Sequence, residues 1–302
     1  MTTPDERVTT PDDRVPPLPG DSLSRRAAAF LHRHAGLRAT GLASAPVLWL
    51  GLIYLVALAA LFLTAFWRVD FGTSVTREWN LDNFRKLYEQ GTYRTVVLRT
   101  VAVAAVVTLV DAVLALPVAF YMAKIASPRV AKLLVVAVLT PLWASYLVKA
   151  FAWRAMVKPG GVLESALGWT PGFGLTAVII CLAYLWLPFM VLPLYAGFER
   201  LPDSLLEASS DLGARPGRTL RTVALPMVFP SLIAGSIFTF SLSLGDYITV
   251  KNVGGTTQML GNLVFDRQAT DIPLAAALST VSVVIMVAYL ALVRRTGALR
   301  NL

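Results

Sequence analysis

Two aspartates lie where a charged side chain is costly. Asp111 falls near the middle of the apolar run 97–124, and Asp246 directly follows another apolar run. An aspartate at the centre of a membrane-spanning helix costs roughly 2.5–3.5 kcal/mol, so such residues face a polar path or pair with a neighbouring helix. Asp111 therefore predicts either a carboxylate in a transport pathway or a partnered contact between helices. Asp246 predicts a pathway or gate residue, or else a C-terminal helix cap or a rim residue facing water.

Aromatic residues could complete a site for an organic cation. Tyr247 adjoins Asp246, and a carboxylate beside a ring suits an ammonium group, because charge pairing adds to a cation–π attraction of ~0.5–2 kcal/mol. Trp143 and Tyr146 are three residues apart, which puts them on one stripe of a helix. We predict that they line a translocation path, the alternative being that they anchor the span at the membrane interface. Trp186 is assigned to anchoring or packing.

A polar segment separates two of the apolar runs, and it predicts a short helix. Its sequence is Glu207-Ala208-Ser209-Ser210-Asp211-Leu212-Gly213-Ala214. Ser204 and Glu207 have the spacing of a capping box, and Gly213 stands where a left-handed turn would end the helix. A polar helix between two spans has nothing of its own to pack on. It needs lipid headgroups, the adjoining spans or a partner protein.

Six long apolar runs must position these residues. Of the 302 residues, 56% are hydrophobic and 15% are charged, whereas soluble domains carry about 25% charged residues. Such a chain cannot hide its apolar surface in one soluble core, so we predict an all-α polytopic membrane protein. A span needs about 20 residues. The runs that qualify are 45–67, 97–124, 131–152, 174–198, 222–245 and 273–294. Pro141, Pro188 and Pro193 predict kinks in the third and fourth.

The distribution of Lys and Arg predicts the orientation. The positive residues concentrate in four stretches, 25–38, 124–132, 200–221 and 294–300. Six spans put all four on one side, while the opposite loops mix their positive residues with aspartate and glutamate. Because cytoplasmic loops carry the excess of Lys and Arg, both termini and the polar helix are predicted to be cytoplasmic. The net charge of +9 reflects this topology, and no ordered basic and aromatic face predicts nucleic-acid binding.

The remaining sequence sets the domain division and excludes several kinds of site. Residues 1–40 predict a disordered tail followed by an interfacial helix, and 41–302 predict the six-span domain with the polar loop at 199–222. The sequence has no Gly-x-x-x-x-Gly-Lys-Ser/Thr phosphate loop, so we predict no ATPase site of its own. The lone Cys181 and two histidines give no metal cluster, and neither a catalytic nor a metal site is predicted.

The polar segment resembles a family signature. Glu207-Ala208, Gly213 four residues after Ser209, and Leu225-Pro226 about a dozen residues later resemble the "EAA" loop of permease subunits of bacterial ABC importers. Ser209 stands where that family has its second alanine, a change of one small residue for another. Residues 139–153, 187–195 and 243–249 also resemble segments of spermidine/putrescine permeases. The resemblance covers about residues 45–295.

The resemblance implies a fold, a mechanism and a set of partners. The fold is the six-helix type I ABC importer (MetI-like) permease fold in the bacterial inner membrane. The polar helix becomes a coupling helix that docks on an ATPase subunit. Residues implied for that contact are Glu207, Ala208, Ser209, Asp211, Leu212, Gly213, Ala214, Leu225 and Pro226. The implied partners are a second permease, similar or identical, two ATPase subunits that hold ATP and Mg, and a soluble substrate-binding protein. No cofactor is implied for this chain.

The resemblance favours polyamine uptake, with alternatives. Lys149 stands where arginine is more usual, and Lys251 places a cation near the outer end of the fifth run, which is awkward for a cationic substrate. The same machinery could carry a phosphonate, thiamine or ferric iron, but an anion path should show inward-facing cations, and only Lys149 and Arg99 come close. An ion-driven secondary transporter would leave the polar helix without purpose. A scaffold without transport is disfavoured by kinked spans and Asp246.

Overall fold

The computed structural model describes residues 35–69 and 75–295. The predictions for the first 34 residues lie outside this part. The chain divides into two compact units, Met1–Ala59 and Ala60–Leu302. The helices are α1 Ala35–Thr64, α2 Asp82–Glu89, α3 Gly91–Phe120, α4 Pro128–Trp143, α5 Tyr146–Val157, α6 Val162–Leu167, α7 Leu175–Glu199, α8 Asp203–Asp211, α9 Pro216–Thr219, α10 Leu225–Leu244, α11 Ile248–Val253, α12 Leu260–Arg267 and α13 Ile272–Arg295. Strands β1 Arg68–Val69 and β2 Val75–Thr76 pair antiparallel.

The predicted all-α membrane architecture is confirmed. Within the described residues, five helical stretches are long and apolar enough to cross a membrane. They are Pro46–Thr64, Gly91–Ile125, Leu175–Glu199, Pro216–Leu244 and Ile272–Arg295. Two of these stretches contain a short π-helical turn, Tyr121–Ile125 after α3 and Leu220–Ala224 before α10. The remaining predicted span, the third in chain order, corresponds to α4 and α5, which pass the same test only when they are taken together.

The third predicted span is broken rather than kinked. Helices α4 and α5 meet at 93°, and the break falls at Ala144 and Ser145, whose backbones are extended. Pro141 lies inside the last turn of α4, where its missing N–H weakens the end of the helix. The predicted kink thus takes the form of a sharp corner three residues further on.

Helices α3, α7 and α10 form the centre of the 60–302 unit. Cys181 and Leu182 of α7 pack with Val103 and Val107 of α3 in one cluster, and Leu194 and Phe198 belong to a second cluster nearer the end of α7. At the crossing of α7 and α10, a Cβ on Gly235 would lie 2.6 Å from the Met190 sulfur. The glycine therefore permits close approach of the two helices, as small residues do in membrane bundles.

Candidate coupling and transport sites

The predicted polar helix is present as α8, but it begins differently from the prediction. Its N-cap is Pro202, and no side chain caps the first turn. The predicted capping box of Ser204 and Glu207 is therefore wrong. The fixed φ of a proline prepares the chain to enter a helix, so α8 starts at Asp203 and Ser204 lies inside the first turn. The negative charge of Asp203 at this end suits the helix dipole.

The end of α8 is as the glycine position predicts. Gly213 has a φ of +75°, in the left-handed region that glycine adopts without steric cost. Its N–H donates to the Ser210 carbonyl at 2.8 Å, and the Ala214 N–H donates to the Ser209 carbonyl at 3.1 Å. These two bonds make a Schellman motif, which ends the helix and satisfies two of its last carbonyls.

One face of α8 packs on the bundle and the others are open. Leu206 packs against the cluster that contains Phe198 and Ala224, and the Ser209 hydroxyl lies 2.9 Å from that of Thr219. Of the residues implied for the ATPase contact, those that are exposed in α8 and its terminal turn are Glu207, Ala208, Asp211, Leu212 and Gly213. Leu212 is 89% exposed at the end of α8, next to Asp211 in the chain. Ala214 and Leu225 are half-buried, and Pro226 is exposed at the start of α10.

Lys124 anchors the start of α8, a role that the sequence analysis missed. Its ammonium group donates to the Leu201 carbonyl at 2.6 Å and to the Asp203 carboxylate at 2.7 Å. The Lys124 side chain is 9% exposed, whereas that of Asp203 is 73% exposed. Lys124 counted in the sequence only as one of the positive residues that set the orientation. Since its partners are 77 and 79 residues away, no local pattern could identify them.

We expect Lys124→Met to loosen α8. The change removes a buried cation and leaves the Leu201 carbonyl without this donor, which costs about 1–3 kcal/mol. Hydrogen exchange of the α8 amides should accelerate, while exchange in α13 stays unchanged. The matched control is Asp203→Asn, which removes only an exposed ion-pair partner worth about 1 kcal/mol or less. Equal exchange rates in the Lys124→Met variant and the unmodified chain would show that Lys124 does not hold α8.

A cavity of about 260 Å³ lies at the other end of α10 from α8. Its lining residues are Tyr146, Trp186, Ser241, Leu242, Gly245, Asp246, Tyr247 and Ile248. Three predicted pathway residues, Tyr146, Asp246 and Tyr247, therefore meet in one place. Trp186, which the sequence assigned to anchoring or packing, also lines the cavity. Its ring stacks on that of Tyr146, with 5.7 Å between the ring centroids. The 20 residues of α10 place the cavity about 30 Å from the end of α10 that follows α8 and α9.

Asp246 is the buried polar centre of this cavity. Its carboxylate accepts hydrogen bonds from the Tyr146 hydroxyl and from the Thr249 N–H, the latter at 2.9 Å. The Val250 N–H adds a longer contact of 3.4 Å. Asp246 thus caps the N-terminus of α11 and not the C-terminus of α10, so the predicted C-terminal cap is wrong. Burial raises the pKa of Asp246 to about 6, against the lowering effect of its hydrogen bonds from Thr249 and Val250.

Two other predicted pathway residues lie elsewhere. Trp143 is 89% exposed and lies before the corner between α4 and α5, outside the cavity lining. Asp111 is fully buried in α3, and neither of its carboxylate oxygens has a hydrogen-bond partner among residues 35–69 and 75–295. Its predicted partnered contact is therefore not formed within that part of the chain. No group of three His, Cys, Asp or Glu side chains arranged for a metal occurs there either.

These features define a class of protein, a polytopic helical membrane protein with an exposed helix at one end of a central span and a polar cavity at the other. The chain belongs to the family described as "Binding-protein-dependent transport system inner membrane component", which matches residues 96–297. The resemblance drawn from the sequence is thereby confirmed, and the chain is a permease subunit of an ABC importer.

Curated relatives and a solved structure agree with this assignment. The chain is 40% identical over 298 residues to the inner membrane ABC transporter permease protein YdcU of Escherichia coli K12, covering 90% of this chain and 94% of the relative. It is 31% identical over 264 residues to the spermidine/putrescine transport system permease protein PotB of the same strain, covering 84% and 95%. A chain of a bacterial alginate ABC transporter in complex with a periplasmic protein superimposes with a TM-score of 0.64 at 14% identity, covering 89% and 96%. That likeness concerns the fold alone.

Proposed function

We propose that this permease carries polyamines of the spermidine and putrescine type into the cell. The observation that carries the proposal is the composition of the cavity at Asp246. Of its eight lining residues, Asp246 alone is charged, and three are aromatic, Tyr146, Trp186 and Tyr247. A carboxylate among aromatic rings attracts alkylammonium groups by charge and by cation–π contact. The 31% identity to a spermidine/putrescine permease supports the same substrate class.

The positive residues that could serve an anion do not line this cavity. Arg99 donates a hydrogen bond to the Gln258 carbonyl at 3.3 Å, and neither Arg99 nor Lys149 is among the lining residues. A cavity for a phosphonate would need such cations, because a buried anion must be paired. The absence of positive residues from the cavity lining therefore favours a cationic solute over an anionic one such as a phosphonate.

The energy for transport comes, in this proposal, from partner subunits. The chain has no phosphate loop, so ATP and Mg would bind to two ATPase subunits on the cytoplasmic side, where this proposal also places both termini of the chain. Closure of the ATPases would move α8, and the Schellman turn at Gly213 would pass that motion through α9 into α10. A second permease and a soluble binding protein complete the assembly. The binding protein would deliver the solute from the side of the Asp246 cavity.

Asp246→Asn tests the substrate class. Asparagine still accepts backbone N–H bonds and caps a helix well, so the change removes the charge while it keeps the cap. We expect putrescine uptake to fall about 10-fold or more, since a charge-assisted hydrogen bond contributes about 1.5–3 kcal/mol. Uptake of radiolabelled putrescine by cells that depend on this permease measures the effect.

The matched control is Asp271→Asn. Asp271 also caps a helix, accepting the Leu274 N–H at 3.0 Å, but it does not line the cavity. Uptake should stay within about twofold in this variant, because asparagine caps a helix about as well as aspartate. Equal putrescine uptake in the Asp246→Asn variant and the unmodified permease, or ATP-driven uptake of a phosphonate instead, would overturn the polyamine assignment.

A further inference from the structure

Lys251 is a cation close to a site proposed for cationic substrates, and its side chain has two neighbours that attract an ammonium group. Its ammonium nitrogen lies 4.3 Å from the centre of the Phe265 ring and 3.4 Å from the Asp266 carboxylate. The Phe265 ring is in turn stacked on Tyr247, with 4.8 Å between centroids and 12° between planes. A ring face and a carboxylate on one ammonium group are the elements of a cation site.

The same ring pair adjoins the Asp246 cavity. Tyr247 lines that cavity and also a second one of about 290 Å³. Tyr247 and Phe265 line the second cavity together, whereas Lys251 and Asp266 are not among its lining residues. Tyr247 therefore lines two cavities, one that Asp246 also lines and another that Phe265 also lines. An alkylammonium group held at Phe265 and Asp266 would therefore be next to the proposed transport site.

We propose that Phe265 and Asp266, with Tyr247 stacked on the Phe265 ring, form a second alkylammonium site, and that Lys251 occupies it as a tethered competitor. The Lys251 side chain ends in a primary ammonium on a four-carbon stem, the same group that terminates putrescine. It neutralises Asp266 while no substrate is bound, and a substrate ammonium must displace it. Lys251 would thereby weaken the binding of single ammonium groups and set the specificity of the outer approach. The proposal rests on the proposed function in that the transported solute is a cation.

The exposure of the pair makes displacement feasible. The side chains of Lys251 and Asp266 are 53% and 51% exposed, so water reaches both and the pair is weakly held. A fully buried pair would resist exchange, because removal of one partner leaves a buried charge. A substrate ammonium group can therefore displace Lys251 from Asp266, whereas the Lys124 side chain beneath α8 is largely shielded from such exchange.

The test is direct binding of n-butylammonium to the purified transporter assembly in nanodiscs without binding protein, measured by titration calorimetry. In Lys251→Met, which keeps the length of the side chain and removes its charge, we expect the Kd to fall about 3- to 5-fold, the factor that one exposed cation–π contact provides. Lys251→Arg keeps the competitor and should show no gain. Adding Phe265→Leu to Lys251→Met should abolish the gain.

Two results would overturn the proposal. One is an unchanged Kd in Lys251→Met. The other is an equal gain in Lys158→Met, which removes an exposed lysine from the loop after α5 and reports only the change in net charge. Failure of this proposal can be distinguished from failure of the proposed function. The first is measured as n-butylammonium binding to the Lys251→Met variant, and the second as putrescine uptake by the Asp246→Asn variant.

Discussion

Ala208→Trp is expected to abolish transport while it leaves the permease folded. Ala208 is exposed in the middle of α8, between the open carboxylates Glu207 and Asp211. An indole there would hold a docked ATPase away from the whole exposed face. Loss of one central contact in a protein interface costs about 2 kcal/mol or more, which is about 30-fold in affinity. Putrescine uptake should fall by at least that factor, and the ATPase should no longer copurify with the tagged permease.

The control for this variant is the same substitution elsewhere. Ala166 is also exposed in a short helix, α6, and Ala166→Trp should retain the ATPase in copurification. Both variants should melt close to the unmodified permease, because neither side chain packs in the bundle. Recovery of a full complement of ATPase with Ala208→Trp would contradict the assignment of α8 as the coupling helix.

Gly261→Ala is expected to disable the transport cavity with a single methyl group. A Cβ at Gly261 would lie 2.5 Å from the Asp246 carbonyl oxygen and 2.8 Å from that of Gly245. Both contacts are with backbone, so no side-chain rotation relieves them, and the segment that carries Asp246 must shift. Overpacking of this kind costs about 1–3 kcal/mol. We expect putrescine uptake to fall about 10-fold, together with a lower melting temperature.

Gly91→Ala provides the comparison. Gly91 is the first residue of α3, and a Cβ there meets no atom within 4 Å. Alanine favours a helix over glycine by about 1 kcal/mol, so this variant should be as stable as the unmodified permease or slightly more stable. Full uptake by Gly261→Ala would show that the backbone at Asp246 can move without consequence for transport.

Local sequence patterns predicted the parts of the coupling helix that depend on single residues. Gly213 ends α8 because only a residue without a Cβ adopts its φ cheaply, and that requirement is visible in the sequence. The start of α8 was predicted wrongly because Pro202 competes with Ser204 for the same boundary. The anchor at Lys124 joins distant parts of the chain, and helical periodicity contains no information about such contacts.

In the cavity, too, the sequence predicted the residues that are adjacent in the chain and missed the contacts between distant parts of it. Asp246 and Tyr247 were predicted from the adjacency of a carboxylate and a ring at the end of an apolar run. The stripe through Trp143 and Tyr146 assumed one continuous helix, but the chain turns by 93° between them. Tyr146 therefore faces the cavity and Trp143 does not. Trp186 could be recognised only after α5 and α7 were placed side by side, since its partner Tyr146 lies 40 residues earlier.

The most direct test is the energy source of uptake. The assembly recovered from native membranes through a tag on this chain is reconstituted into liposomes, and the uptake of labelled putrescine is measured with ATP and Mg inside, with ADP inside, and with an imposed ion gradient. We predict uptake only with ATP, in the presence of the binding protein. Uptake that an ion gradient drives without ATP, or without any ATPase in the preparation, would contradict the role of α8 and point to a secondary transporter.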